Sequence, residues 1–474
     1  MRSLDSLVRT SDLWGSRLFI ATLAWAPIPY ASNRPWAWSI LGLLVGTASV
    51  LTGVGRLRRG APSRLPLPVL LAAGASLVVL VWVGLQSLAD VLPPEWTHPV
   101  RRWAGEAGLP VPATISLSPE LTRDNLMRLL TYMLTFAVAF AHGLDGGRAK
   151  TLFRTIFVVA SVEAVYGLLV HFGGFPGTFP WETTPKPYAD VVTGTFINRN
   201  NFATFLGIGI LVGLALTLED VTKARGGSDL LRRLVTIGEQ CLGKQGLRPA
   251  VLLTLFAAAL LTGSRGGFLS LVAGLLIFFF LGFLVVRPRW KSVLASLLVI
   301  SVTGWGIFAL AGDLTWQRLL ATEETGGNRI YVYELATEAV RARPWTGHGY
   351  GTFAQVFHLY RDARLSALWD KAHNTYLEQA VELGLPATAA LYFGLAVLFL
   401  YMLTGIFRRR RNQIFPLVGV SASILVGTHA LVDFSLQIPA VATAYATVLG
   451  VGVAQARRHG RPLGTPEPAH QREP

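Results

Sequence analysis

The chain has 474 residues, of which 52% are hydrophobic and only 15% are charged, and its mean hydropathy is +0.46. A soluble domain carries about 25% charged residues, so this composition excludes an ordinary soluble protein. The net charge of +15 suits nucleic acid, but the lysines and arginines fall mainly in short loops between apolar runs. That distribution is the signal that orients membrane helices, so no nucleic-acid partner is expected. The single cysteine, Cys241, excludes an internal disulfide and a cysteine-based metal site.

Apolar runs long enough to cross a bilayer recur along the whole chain. They predict an all-α, polytopic transmembrane protein with about twelve spans. The predicted spans are 13–31, 36–54, 66–86, 125–143, 151–171, 202–218, 249–264, 266–286, 292–312, 384–406, 414–432 and 433–454.

The basic loops predict the orientation of these spans. If the N-terminus is cytoplasmic, every strongly basic short loop falls on the cytoplasmic side, as the positive-inside rule requires. The outer side then carries three long segments, 87–124, 172–201 and 313–374, and we expect the function there. The expected organisation is an N-terminal set of helices in 1–192, a catalytic region in 193–386 that includes a helical outer loop domain, C-terminal helices in 387–456 and a disordered cytoplasmic tail in 457–474.

The segment from Asn328 to Asn374 is the most polar and chemically varied part of the chain. Apolar residues recur there at helical spacing and predict an amphipathic helix that ends at Arg343-Pro344. These apolar residues are Val332, Leu335, Ala336, Ala339 and Val340. A loop rich in glycine and aromatic residues follows, from Trp345 to Gly351, and leads to His373.

The motif T-G-T-F-I-N-R-N-N-F stands just before a predicted span on the outer side. Asn198, Arg199 and Asn200 are consecutive hydrogen-bonding groups at a helix N-terminus, which favours anions. The guanidinium of Arg199 is suited to grip a phosphate with two hydrogen bonds. The alternative is a helix cap with an arginine that reaches the membrane surface.

The motif T-G-S-R-G-G, at 262–267, predicts a tight hairpin between two spans. Arg265 would lie at the outer membrane boundary, where an ionisable residue is costly and usually functional. The glycines would allow a ligand or another backbone to approach closely. The alternative is an arginine that only reaches water from the tip of the hairpin.

The motif H-N-T-Y-L-E-Q places His373 on the outer side where a span begins. A neutral histidine can accept the proton of a hydroxyl group, so His373 is a candidate general base. Glu378 is a candidate to orient its imidazole or to pair with an arginine. The alternative is a histidine that only packs in the fold. His348 is a second candidate, although its glycine neighbours also suit loop architecture.

Together these motifs resemble the O-antigen ligase and polymerase superfamily of bacterial surface-polysaccharide enzymes. The resemblance rests on G-T-F-I-N-R-N-N-F, T-G-S-R-G-G, N-R-I-Y-V-Y-E-L-A, R-P-W-T-G-H-G-Y-G-T-F and H-N-T-Y-L-E, and it covers roughly 193–386. It implies transfer of a glycan from undecaprenyl diphosphate to an acceptor hydroxyl at the periplasmic face of the inner membrane. Arg199 and Arg265 would hold the donor diphosphate, and His373 would activate the acceptor. Substrate contacts are also expected from Asn198, Asn200, Arg329, His348, Tyr350 and Glu378.

No metalloprotease, nucleotide-phosphate or serine-hydrolase motif occurs on the outer face, and no metal or cofactor is expected. Two reactions stay open within the superfamily. A ligase would transfer the glycan to lipid A core, and a polymerase would extend a lipid-linked glycan; the adjacent Arg and His motifs favour the ligase. A flippase for a lipid-linked sugar is a third alternative, but it predicts charges deep within the helices and short outer loops.

Overall fold

The computed structural model describes residues 2–56, 65–91, 93–173, 191–223, 247–286, 323–365, 369–409 and 411–457. Within these ranges the regular structure is entirely helical, as the composition predicts. The helices are α1 (Arg2–Trp25), α2 (Pro35–Arg56), α3 (Leu67–Ser87), α4 (Pro99–Glu106), α5 (Pro119–Gly143), α6 (Gly146–Phe172), α7 (Arg199–Lys223), α8 (Leu247–Leu261), α9 (Arg265–Val286), α10 (Glu323–Ala342), α11 (Phe353–Tyr360), α12 (Thr375–Leu383), α13 (Leu385–Arg408), α14 (Ile414–His429) and α15 (Pro439–Ala456).

Eight of the described helices are long and apolar enough to cross a membrane, namely α2, α3, α5, α6, α7, α9, α13 and α15. The helices α8 and α14 are apolar but shorter. All ten coincide with predicted spans, and α1 overlaps an eleventh. The predicted span 292–312, residues 313–322 of the outer loop and residues 458–474 of the tail lie outside the described residues. The total of about twelve spans therefore stays a prediction.

Helices α7 and α15 form the centre of the bundle. Their apolar windows are 83% and 94% buried, whereas the window of α3 is only 22% buried. Small residues allow this close packing, because a Cβ atom added at Gly450 of α15 would lie 2.6 Å from the backbone oxygen of Phe136 in α5. The exposed leucines and valines of α3 instead form a surface suited to lipid.

The two ends of the bundle differ in chemistry. At one end, the C-terminus of α2, the start of α6 and the C-termini of α13 and α15 come together. There Arg148 pairs with the buried Asp12 at 2.6 Å, and Arg409 donates to the backbone oxygens of Gln455 and Arg457. Basic side chains thus gather at the end where the predicted orientation places the cytoplasm.

A helical cap covers the opposite end of the bundle. Its core forms between α10, α11 and α12, where Val332, Leu335 and Ala339 of α10 are buried, which confirms the predicted amphipathic face. The helix ends at Ala342, directly before Arg343, also as predicted. Arg343 donates to the backbone oxygens of Trp96 and Thr97, at 2.6 and 3.2 Å, and so ties the earlier outer segment to the cap.

Candidate functional site

His373 lies where the cap meets the bundle, two residues before α12 begins. Its backbone has φ +52°, in the left-handed region that costs about 1–3 kcal/mol for a residue other than glycine. The hydroxyl of Tyr333 donates to its backbone oxygen at 3.0 Å. The rings of Trp369 and Phe434 meet the imidazole edge to face, with centroids 5.6 and 5.1 Å away. These contacts fix the direction in which the imidazole points.

The imidazole of His373 pairs with Asp433, a carboxylate sixty positions along the chain, with Nδ1 3.3 Å from Oδ1. Asp433 is fully buried, and its side chain is 1% exposed against 21% for His373. Burial by itself would raise the pKa of the Asp433 carboxyl. The hydrogen bond with His373 and the nearby His429 outweigh that effect, so the pKa lies below its ordinary value. An ionised Asp433 accepts the Nδ1 proton and leaves Nε2 of His373 as the basic nitrogen.

A buried polar network links Asp433 to the start of α7. Ser435 donates to Oδ2 of Asp433 and contacts Oδ1 of Asn201, both at 3.0 Å. Nδ1 of His429 lies 2.5 Å from the hydroxyl of Thr204, and its Nε2 lies 3.8 Å from Oδ2 of Asp433. The turn after α14 is therefore anchored on the first helical turns of α7.

Helix α9 begins with Arg265 beside this same turn. A Cβ atom added at Gly266 would lie 3.2 Å from the ring of His429, and one at Gly267 would lie 2.6 Å from the Cβ atom of Ala203 in α7. Ser264 caps the helix by accepting a hydrogen bond from the Gly267 amide at 3.1 Å. The glycines of the motif thus allow α9 to start in direct contact with α7 and α14.

Helix α7 begins with Arg199 at the same end of the bundle. The side chain of Asn198 accepts from the Asn200 amide at 2.8 Å, so it acts as a helix cap. The segment before α7 is anchored to α6, because the carboxylate of Glu163 accepts hydrogen bonds from both the amide and the hydroxyl of Thr195. The N-termini of α7 and α9 consequently converge on the turn that carries Asp433, and both helix dipoles favour an anion there.

Arg329 of the cap also reaches this site. Its Nη1 lies 3.5 Å from the backbone oxygen of Val432, the residue before Asp433. The structure thus brings Arg199, Arg265 and Arg329 to the end of the bundle where His373 lies. Three arginines and two helix N-termini at the same end of the bundle as His373 suit a substrate with a strongly anionic group.

Two other predicted substrate contacts lie away from His373. His348 is buried, with Nδ1 2.9 Å from Nε2 of His98 and Nε2 3.0 Å from the backbone oxygen of Ala339. Burial lowers the pKa of His98 to about 3 and that of His348 to about 4, so both rings are neutral. Tyr350 lies in the wall of a separate cavity. His348 therefore serves the loop architecture that its glycine neighbours suggest.

Glu378 does not orient His373. Its carboxylate accepts from Lys371 at 3.1 Å and from the Ala372 amide at 2.9 Å, and it is fully buried. It therefore pairs with a lysine and shapes the chain just before His373, and the orienting partner of the imidazole is Asp433. This corrects the expectation for Glu378.

Sequence reasoning missed His429 and Asp433. Both lie in H-A-L-V-D-F-S-L-Q, which begins with His429, the last residue of α14, and their spacing of four residues was the available signal. Polar residues at that spacing at the end of an apolar run mark a place where charge has to be paired. Among the described residues, no three His, Cys, Asp or Glu side chains are placed to hold a metal ion.

One family model matches part of the chain. Residues 250–392, less than half of the chain, match the family model described as O-Antigen ligase. The matched segment includes Arg265, Arg329 and His373, whereas Arg199 and Asp433 lie outside it. No curated protein matches the chain.

The match confirms the resemblance drawn from the motifs, and it supports a membrane glycosyltransferase of the ligase or polymerase type. The eight long, apolar helices among the described residues support the assignment to a membrane protein. The protein is a multi-pass membrane protein whose residues 250–392 are similar to the O-antigen ligase family.

Proposed function

We propose that the protein transfers a glycan from undecaprenyl diphosphate to an acceptor hydroxyl, with lipid A core as the acceptor. The observation that carries the proposal is the His373–Asp433 pair, which lies beside the N-termini of α7 and α9 where Arg199 and Arg265 begin these helices. A base oriented by a buried carboxylate, next to an anion site, is the arrangement that this reaction requires.

In the proposed reaction, Nε2 of His373 accepts the proton of the acceptor hydroxyl. The acceptor oxygen attacks the anomeric carbon, a new C–O bond forms, and the bond from that carbon to the diphosphate oxygen breaks. The diphosphate leaves with the electron pair, and direct displacement inverts the anomeric centre. Asp433 holds the imidazole in the required tautomer and stabilises the imidazolium that forms.

Arg199 and Arg265 would stabilise the diphosphate as negative charge develops on the leaving oxygen. Fixed guanidinium groups in a partly dehydrated site suit this role, because they need no reorganisation during the reaction and present two parallel donors to a phosphate. Arg329, in the cap, would contact the glycan or the diphosphate.

The proposed location is the bacterial inner membrane, with both termini in the cytoplasm and the cap in the periplasm. The basic side chains at the end of the bundle opposite the cap support this orientation. A lipid-linked donor would then reach the anion site at the periplasmic surface of the bilayer.

The test is glycan transfer by the purified full-length protein in detergent, with an undecaprenyl diphosphate glycan as donor and either lipid A core or a second lipid-linked glycan as acceptor. Product on lipid A core that is lost in His373→Ala and Arg265→Ala supports the ligase. Two exposed residues of the cap supply matched controls, His358→Ala and Arg364→Ala, which should retain the activity.

Longer chains on undecaprenyl diphosphate would show a polymerase with the same site. Movement of the lipid-linked glycan across a liposome bilayer, without transfer to either acceptor, would replace the proposal with a transporter. Transfer that persists in His373→Ala would remove the proposed base.

A further inference from the structure

A second feature of the capped end is a cavity of about 610 Å³ between α3, α5, α13 and α15. Most of its lining side chains are apolar, and its charged lining residues are Arg128, Lys371 and Glu382. Lining residues of α5 run from Asn125 to Phe140, which corresponds to about 22 Å of helix. The cavity is thus long and apolar, with charge at one end, and this shape suits a hydrocarbon chain better than a sugar.

The cavity also opens towards the side of the bundle. Leu77 of α3 and Leu130 of α5 both line it and are 60% and 44% exposed. A chain that lies in the bilayer could therefore enter between these helices without leaving an apolar environment.

Arg128 stands at the charged end of this cavity and within α5, a helix long and apolar enough to cross a membrane. Its guanidinium donates to the backbone oxygen of Gln437 and to Oδ1 of Asn125, and it lies 4.8 Å from the ring centroid of Trp38. Within the described part of the chain no carboxylate forms an ion pair with Arg128. A positive charge within such a helix that lacks a carboxylate partner is costly, and such residues usually face the bundle interior or a cavity and serve a function.

Lys371 places a second cation at the same end. Its ammonium group donates to Oε1 of Gln437 at 2.5 Å and to Glu378 at 3.1 Å. Gln437 thus receives Arg128 on its backbone oxygen and Lys371 on its side chain, so both cations are fixed around one residue. An anionic headgroup at this point would complement the pair.

The cavity is lined mainly by helices other than those that pack against α9. Helix α9, which begins with Arg265, packs against α7, α8 and α14, whereas the cavity is lined by α3, α5, α13 and α15. Helix α14 contacts both groups, and the turn after it carries Asp433. Lys371, at the charged end of the cavity, is two residues from His373, so this end of the cavity lies near the catalytic pair.

We propose that this cavity holds the hydrocarbon chain of the acceptor lipid, with Arg128 and Lys371 binding its anionic headgroup. The assignment to the acceptor rests on the proposed function, because it takes Arg199 and Arg265 as the donor site. The acceptor is then a membrane amphiphile with a negative headgroup, and its hydroxyl reaches His373 from the charged end of the cavity.

The binding test does not need catalysis. The full-length protein in lipid nanodiscs is labelled with a photoreactive long-chain alkyl phosphate and, separately, with the alcohol of the same chain. The labelled peptides are then identified by mass spectrometry. We expect the phosphate to label the cavity walls on α5 and α15, and Arg128→Gln to lower this labelling about tenfold through loss of a charged hydrogen bond. Arg128→Lys should keep part of it.

Replacing either of two alanines by phenylalanine provides a matched pair of variants. Ala137→Phe adds a ring inside the cavity and should lower the labelling, whereas Ala21→Phe adds the same ring to the exposed surface of α1, outside the cavity, and should not. Labelling spread over the outer surface of the bundle, or equal labelling by phosphate and alcohol that Arg128→Gln does not change, would overturn the lipid site.

A kinetic measurement tests the assignment to the acceptor. Arg128→Gln should raise the KM for the lipid acceptor and leave the KM for the donor unchanged. A raised KM for the donor would overturn the assignment to the acceptor and indicate that the cavity binds the hydrocarbon chain of the donor lipid. If the wild-type protein transfers no glycan, the proposed function and the acceptor assignment both fail, while the labelling still decides whether the cavity binds an anionic lipid.

Discussion

Nδ1 of His373 lies 3.3 Å from Oδ1 of Asp433, and a hydrogen bond from Ser435 fixes the other carboxylate oxygen. This geometry leads to the first prediction. Asp433→Asn keeps the size of the side chain but removes the charge that holds the imidazole tautomer and stabilises the imidazolium. We expect kcat for glycan transfer to fall by about 10²- to 10⁴-fold, with the donor KM little changed.

The control for this substitution is Asp362→Asn, because Asp362 lies in the same cap and pairs with Arg364 at the surface. It should leave kcat near the wild-type value. An Asp433→Asn variant with wild-type kcat would show that Asp433 does not serve the reaction.

The buried pair of His98 and His348 predicts a loss of stability in acid. Their pKa values of about 3 and about 4 lie below the ordinary value of 6.5, so the unfolded chain binds more protons than the folded protein. Their contribution is therefore complete above about pH 6.5 and is lost as the pH falls towards 4. Between about pH 7 and pH 5 the loss should be on the order of 1–2 kcal/mol for each histidine.

The thermal midpoint of the purified protein, measured at both pH values, tests this expectation. His98→Gln should show a smaller drop than the wild-type protein, since one of the two groups no longer titrates. His358→Gln, a substitution on the exposed face of α11, should keep the full wild-type drop. Equal drops in all three proteins would contradict the prediction.

The contribution of Glu382 to stability should change with pH in the opposite direction to that of His98 and His348. Burial, and then the neighbouring Glu378, raises the pKa of its carboxyl from 4.5 to about 7. The folded protein thus binds more protons than the unfolded chain, so this group's contribution is present below about pH 4.5 and is lost as the pH rises through 7. Oε1 of Glu382 accepts from the Phe353 amide at 3.0 Å, and a glutamine oxygen can accept the same hydrogen bond.

We therefore expect Glu382→Gln to raise the thermal midpoint at about pH 8.5 and to change it little at about pH 5. The difference in unfolding free energy between the two conditions should be on the order of 2 kcal/mol. Glu338→Gln, on the exposed face of α10, is the control and should show no such difference. A uniform loss of stability in Glu382→Gln would show that the charged form is the one that the fold requires.

Alanine at Gly351 and alanine at Gly108 should differ in their cost to stability, because only the first adds crowding to backbone strain. Both have φ +82°, a conformation that glycine adopts without cost, but a Cβ atom at Gly351 would lie 2.0 Å from Nδ2 of Asn125, whereas one at Gly108 meets nothing within 4 Å. Gly108→Ala should cost about 1 kcal/mol from strain alone. Gly351→Ala should cost clearly more and lower the thermal midpoint further. Equal midpoints for the two variants would mean that Asn125 moves aside freely.

The sequence by itself determined the features that depend on local periodicity. Apolar runs predicted the helices of the bundle, and apolar residues at helical spacing predicted α10 with its end at Ala342. The motifs also placed Arg199 and Arg265 at helix N-termini, and they placed His373 shortly before a span, where the structure has it two residues before α12. These features follow from the sequence because a helix and its caps form from residues within a few positions of each other.

Only the tertiary structure decided which polar groups meet. His373 finds Asp433 across sixty positions, Glu378 turns to Lys371, and His348 pairs with His98 across 250 positions. These pairings depend on how the bundle brings α7, α9 and α14 together and on where the cap docks. A buried polar group pairs with whichever partner the packing brings within about 3 Å, and no local pattern in the sequence carries that distance.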